Sequence, residues 1–533
     1  MTPILRVLVS DPVAPECIAV FKHEAGFEAD YKAGLSKEDL LEIIPAYAGL
    51  IVRSETKVTA DVIERAGSLR AVVRAGVGVD NIDVEAATRR GILVMNCPTG
   101  NTVAAAEHTI AMMFALARNI PQACAALKGG RWERTRFVGA EVQDKVLGVL
   151  GLGKVGREVA RRAVALGMRV IGYDPFVSGD GATKLGGVEL QPFDEVLARA
   201  DFLTVHVPLT DQTRGLVGRE QIARMKPSAR VLNVARGGVV DEEALAEALA
   251  GGRLAGAALD VFEREPPDAD HPLLKLENAI ATPHLGASTR EAQEAVGTAS
   301  AHQIIGYLRD GAIVNSVNMI AVEAGVLKRV APWQPLAERM GSLHAQLREG
   351  RVKKVALAYA GELFGPSERQ VLTLSFLKGL LQHYLSAPVN LVNAMHFVRE
   401  GRIDLVEQTS LDTEGFLNLV TAVVETTEKS RRVAGTIFGE KHPRIVYLDN
   451  YMTDAVPAGY MLIASNNDTP GMMGKIGTTL GRNGVNIGSM SMGRDTTGGT
   501  AVAILNLDSP VPPEVARELE AQPGILWTRS VKL

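Results

Sequence analysis

An α/β fold with parallel sheets, continued by mixed α+β modules, is predicted for this chain of 533 residues on three observations. From residue 4 to 95, short apolar runs alternate with helical stretches. The alternation resumes between 146 and 282, opening at the glycine-rich turn GLGKVG. From 459 onward the order becomes strand, helix, strand, strand, helix, strand. Parallel strands need a crossover connection, usually a helix, so the first two patterns read as βαβ layers. The third is the order of a ferredoxin-like split unit.

In the first region strands are expected at 6–9, 49–52, 71–73 and 93–95, with a helix over 37–44. A long helix follows over 103–118, with Asn101 placed to cap it. The second region begins with a strand at 146–150, then a tight turn, a helix over 157–166 and a strand at 169–173. Here Gly151 permits the turn, Gly153 lets backbone approach a pyrophosphate, and Gly156 allows close helix packing, with the phosphate on the positive helix N-terminus. Asp174 closes the second strand, where a carboxylate accepts ribose hydroxyls and repels a 2′-phosphate. The fingerprint therefore points to a Rossmann-type doubly wound domain that binds NAD in preference to NADP.

Three polar residues lie downstream: Arg236 in NVARGGVVDE, Glu265 in DVFEREPP and His284 in ATPHLGAS. Oxidation of a 2-hydroxy acid needs a base for the hydroxyl proton, a cation for the carboxylate and a hydride acceptor. His284 suits the base, since an unperturbed imidazole titrates near neutrality. Glu265 would hold that imidazole in one tautomer and favour its protonated form. Arg236 offers a planar, permanently charged fork for an α-carboxylate.

With these residues and the segments RAGVGVDNID, NCPTGNTVAAAEH, GLGKVGREVA, YDP, ALDVFEREPP and PHLGAS, the chain closely resembles the D-isomer-specific 2-hydroxyacid dehydrogenases, in particular the long, three-module kind acting on D-3-phosphoglycerate. The resemblance implies that Arg236, Glu265 and His284 form the catalytic set. It adds Lys154, Val155, His206, Pro208, Ala235 and Asp260 to the NAD-facing residues. It further implies a flavodoxin-like substrate domain in two pieces, 1–98 and 285–317, around an NAD domain at 99–284, then an intervening domain at 318–456 and an ACT domain at 457–533.

Arg53 and Arg74 each follow an apolar run, where ligands bind beyond the carboxyl ends of α/β strands. The resemblance directs them at substrate phosphate and carboxylate, with Gly76, Val77 and Asn101. It lends Arg134 to a neighbouring subunit's site, which requires a homo-oligomer. The residues from 319 to 456 are expected to mix strands (352–358) with helices (372–385, 416–421). Their basic residues Lys429, Arg431, Arg432, Lys441 and Arg444 read as an anion site or as a solvated face. In the last module, DTPG before the helix and GVNI after it resemble an ACT domain, which implies an amino-acid sensor. Asn466, Asp468 and Asn486 would contact its ligand, with L-serine the expected effector.

The composition fits this reading. The chain has 46% hydrophobic residues and a net charge of −4, enough apolar content for several cores and too little charge for a general nucleic-acid or anionic-membrane binder. Cys17, Cys97 and Cys124 form no metal or disulfide pattern, which suits a reducing cytoplasm, and no metal is expected. No apolar run reaches membrane-spanning length. Two alternatives stay open: a glyoxylate or hydroxypyruvate reductase on the same fold, and an NAD-sensing binding protein.

Overall fold

The computed structural model describes residues 4–177 and 186–533. It is built on four sheets. The first has five parallel strands in the order Phe27–Tyr31, Leu5–Val9, Gly49–Val52, Ala71–Arg74, Leu93–Asn96. This is the flavodoxin-like order. The 21-residue helix Arg290–Asp310, far away in sequence, lies against this sheet. Its Ile304 occupies the space a side chain at Gly49 would need, and Cys17 meets Gly297. The Thr289 hydroxyl oxygen accepts from the Ala292 amide to cap the start of that helix, and Gly311 in the left-handed region ends it.

The second sheet has seven strands, all parallel, in the order Ala279–Ala281, Gly256–Leu259, Arg230–Asn233, Phe202–Val205, Val146–Leu150, Arg169–Tyr173, Val188–Leu190. The order reverses between Val146–Leu150 and Phe202–Val205, the switch point at which doubly wound sheets bind dinucleotides. Helix Thr102–Ala117 is apolar on nearly every side because it is packed in, with Leu116 filling the place of a side chain at Gly256. Among the described residues no single helix is long and apolar enough to cross a membrane.

The third sheet runs Asp404–Ser410, Val352–Ala360, Leu419–Thr426, Ser430–Phe438, His442–Leu448, Tyr451–Ala455, and is antiparallel except for its first pair. Helices Trp333–Leu347 and Pro366–Leu381 cross over it. Gly341 lies against the Phe376 carbonyl and Gly379 against the Glu338 carbonyl of the opposite helix, so closely that any side chain there would collide. Two expectations fail in this region. The helix expected over 372–385 starts earlier and stops at Leu381, and 416–421 is not helical. Gly415 turns the chain at positive φ, and Leu419–Thr426 pairs on both edges as a central strand. Its Val and Thr side chains fit a pleat better than a helix.

The fourth sheet, Ile487–Arg494, Thr500–Leu507, Tyr460–Asn467, Ile525–Lys532, is antiparallel with helices Met472–Arg482 and Pro513–Glu520, the ferredoxin-like arrangement.

Candidate active site

The carboxyl ends of the first two sheets face each other across a cavity of about 720 Å³. From the first sheet come Arg53, Arg74, Gly76 and Val77. From the second come Lys154, Val155, His206, Pro208, Ala235, Arg236 and Asp260, with Glu265 and His284 at the same wall and Asn101 at the head of the long helix. The sequence thus brings together residues more than 200 positions apart.

The imidazole of His284 lies with Nδ1 2.8 Å from Glu265 Oε2, and both side chains are about two-fifths exposed. An ionised carboxylate only accepts, so Nδ1 carries the proton and Nε2 keeps its lone pair. Burial opposes the charge on Glu265. The His284 contact and the Phe262 amide outweigh that and hold its carboxyl below the usual range. His284 itself takes φ = 56°, a left-handed backbone that costs a non-glycine residue about 1 kcal/mol or more.

The guanidinium groups of Arg53, Arg74 and Arg236 share the cavity, all half-buried. Burial and the like charges of Arg236 and Arg53 push Arg74 down to about 10. Its terminal nitrogen reaches Ser54 Oγ at 3.0 Å, while its Nε is buried without a partner. Arg236 Nε lies 3.2 Å from the exposed carboxylate of Asp80. The Asn101 side chain does not cap its helix as expected, and its amide oxygen is buried and unpartnered at the cavity. Unsatisfied buried polar atoms are costly, and an anion or hydrogen-bonding ligand in the cavity would satisfy these two groups.

On the adenosine side, Gly151 stands at φ = 92°, and a side chain at Gly156 would strike the Gly151 carbonyl, whereas nothing lies within 4 Å of where Gly153 would carry one. The opening is therefore left at the glycine where backbone meets pyrophosphate, as the fingerprint requires. Asp174 accepts from the Leu152 amide at 2.8 Å and from the Phe176 amide at 2.9 Å, so it also braces the glycine turn. His206, 3.0 Å from Thr204 Oγ1, is pushed down to about 4 by burial and stays neutral.

Family models match three consecutive stretches. Residues 110–286 match the NAD binding domain of D-isomer specific 2-hydroxyacid dehydrogenases, 329–449 the D-3-phosphoglycerate dehydrogenase intervening domain, and 460–524 the ACT domain. D-3-phosphoglycerate dehydrogenase of Archaeoglobus fulgidus is 44% identical over 531 residues, 99% of this chain and 100% of that one. The enzyme of Methanocaldococcus jannaschii is 46% identical over 522 residues, 98% of each. The chain belongs to the D-3-phosphoglycerate dehydrogenase family. Among solved structures, a glyoxylate reductase from Paecilomyes thermophila superposes with a TM-score of 0.54 at 28% identity, covering 59% of this chain and 98% of that one. An NAD-dependent formate dehydrogenase from Staphylococcus aureus in complex with NAD does so at 0.53 and 27%, covering 60% and 100%.

Three groups of residues lie away from the cleft of this D-3-phosphoglycerate dehydrogenase family member. Arg134 stands exposed on the turn Arg134–Phe137 and does not line the cavity of its own chain. In the ACT domain, Asp468 accepts from the Gly498 amide at 3.0 Å, and Asn466 is buried with its amide oxygen unpartnered. Asn486 donates to Asp508 at 2.7 Å at the opposite end of the sheet. Strand Tyr460–Asn467 separates these two ends by roughly 23 Å at its ordinary rise per residue, so one chain does not bring Asp468 and Asn486 together. In the intervening domain, Arg431 pairs with Asp449, Arg432 with Glu414 and Arg444 with Asp454. Each has its own carboxylate, which speaks against a shared anion site, and Arg431 is buried, so it does not belong to a solvated face either.

Sequence reasoning missed Asp80, Ser54, Thr282 and His108. Asp80 and His108 lie inside the matched segments RAGVGVDNID and NCPTGNTVAAAEH, but only the packing shows what they touch.

Proposed function

We propose that this chain oxidises D-3-phosphoglycerate at C2 to 3-phosphohydroxypyruvate, with NAD as hydride acceptor, the first step toward serine. The observation that carries the reading is the convergence of three guanidinium groups on the cavity that the His284–Glu265 pair lines. A phosphate monoester brings a charge of about −1.5 to −2 at neutral pH, and a carboxylate brings one more, so three arginines balance this substrate. An unphosphorylated 2-hydroxy acid would leave Arg74 buried beside like charges.

His284 Nε2 takes the C2 hydroxyl proton as the C2 hydride leaves, and Glu265 stabilises the imidazolium that results. Arg236 holds the carboxylate and offsets negative charge developing on the C2 oxygen. Arg53 and Arg74, with the Gly76 and Val77 backbone and Asn101, hold the phosphate end. Gly151, Gly153, Lys154, Val155, Gly156, Asp174, His206, Pro208, Ala235 and Asp260 form the cofactor side.

The proposed modules are 1–98 with 285–317, 99–284, 318–456 and 457–533, and the packing of helix Arg290–Asp310 on the first sheet supports joining the first two pieces. The chain works as a homo-oligomer in the cytoplasm, Arg134 reaching a second copy's cleft. Two ACT sheets side by side in opposite directions would bring Asn466 and Asp468 of one copy beside Asn486 of the other, and L-serine suits that pair of amides and carboxylate. The glyoxylate reductase reading is weaker, because that enzyme matches only 59% of this chain.

The test is NADH formation with NAD and a panel of acids. D-3-phosphoglycerate should exceed D-glycerate, D-lactate and glycolate in kcat/KM by orders of magnitude. Comparable rates on all four would reject the assignment.

A further inference from the structure

Behind the loop that carries His284 lies a side chain that proton transfer does not use. His108, on helix Thr102–Ala117, does not line the 720 Å³ cavity. Its Nε2 lies 3.2 Å from Asp260 Oδ1 and 3.1 Å from Thr282 Oγ1. Asp260 is 1% exposed, and its carboxylate is surrounded by donors from one short loop. The Leu285 amide donates to Oδ1 at 2.7 Å, the Gly286 amide to Oδ2 at 2.8 Å, and the Thr282 hydroxyl to Oδ1 at 2.6 Å. The Asp260 carbonyl also accepts from the His284 amide at 2.8 Å.

The loop from 282 to 286 is thus wrapped around one buried carboxylate, with His284 in left-handed backbone at its centre. Such a conformation persists only where the surroundings over-determine it. A buried carboxylate in turn needs every lone pair answered. Burial works against its charge. The His108 and Thr282 hydrogen bonds, with the Leu285 amide, overcome this and hold its carboxyl below the usual range. Among the described residues, His108 is the only titratable side chain hydrogen-bonded to Asp260, and the only member of the cluster from the helical layer.

We infer that His108 is a positioning residue: through Asp260 it fixes the 282–286 loop so that His284 Nε2 faces the substrate hydroxyl. The inference rests on the reading of His284 as the base. Displacements on the order of 1 Å at a reacting group cost about a hundredfold in rate, so the expected effect falls on turnover rather than on binding.

The experiment compares full-length wild type, His108→Phe, His108→Gln and His284→Ala by steady-state NADH formation and by hydrogen exchange of the peptide spanning 282–286. Phe keeps the volume and deletes the donor, while Gln places an amide N–H at the same bond count as Nε2. His108→Phe should lose about tenfold to a hundredfold in kcat with KM for both substrates within about threefold, and its loop amides should exchange faster. His108→Gln should stay within about threefold of wild type in both readouts. Wild-type turnover and exchange in His108→Phe, or a Gln variant as impaired as Phe, would overturn the inference. Should the Phe variant not fold, the Gln variant decides, a loss beyond about tenfold being the overturning result. Near-normal turnover in His284→Ala would instead reject the base reading, and leaves the loop-exchange result to stand or fall by itself.

Discussion

The chemistry depends on which nitrogen each group presents. Glu265 occupies His284 Nδ1, leaving Nε2 as the acceptor over the cavity. His284→Ala should therefore lower kcat by about two to four orders of magnitude and leave NAD affinity, followed by fluorescence titration, nearly unchanged. A variant above half of wild-type turnover with chemistry rate-limiting contradicts the base assignment. Asp174 ties the Leu152 amide, and in the proposed site it also accepts the ribose hydroxyls. Asp174→Ala should weaken NAD by about tenfold or more, the scale of a lost charge-assisted hydrogen bond, and narrow the preference over NADP. Kinetics with both cofactors measure this, and an unchanged NAD/NADP ratio assigns the selectivity elsewhere.

Among the elements, those carrying the site were the most legible. The strand before GLGKVG, its turn and the acid after the next strand could each be placed because glycine and apolar runs have few structural alternatives there. The pairing of Arg53 and Arg74 with Arg236 could not be read from spacing, since it depends on two sheets meeting across a cleft. Nor could the role of helix Arg290–Asp310, whose return to the first sheet is a tertiary choice. The misread segment at 416–421 is of the same kind, since a six-residue window does not show that two strands flank it. Helix Trp333–Leu347 carries a further expectation. Its His344 is fully buried, pushed down to about 3 by burial and by the charge of Arg431, with Nε2 unpartnered. An unfolded histidine takes its proton near pH 6.5, so the unfolded state binds more protons from there down to about pH 3 and stability falls across that window. Melting temperatures at pH 7 and pH 5 should fall more for wild type than for His344→Phe. Equal slopes would show that His344 takes its proton alike in the folded and unfolded states, against the expectation.

At the scale of the whole molecule, the ACT sheet is separate from the two sheets that form the cleft. In the proposed function, serine between two ACT sheets would act on the cleft only through contacts that differ between active and inactive arrangements. Asp468→Ala should abolish serine inhibition and keep turnover without serine, as inhibition titrations will show. Calorimetry without serine binding to the intact chain would leave the ACT domains as assembly modules. In the proposed function the cleft between the first two sheets takes a phosphate as well as a carboxylate. The decisive measurement is kcat/KM for D-3-phosphoglycerate and for D-glycerate, the same acid without the phosphate, in wild type and Arg74→Ala. A loss of about tenfold to a hundredfold is expected on the phosphorylated acid with little change on D-glycerate, whereas equal losses on both would contradict a phosphate site at Arg74.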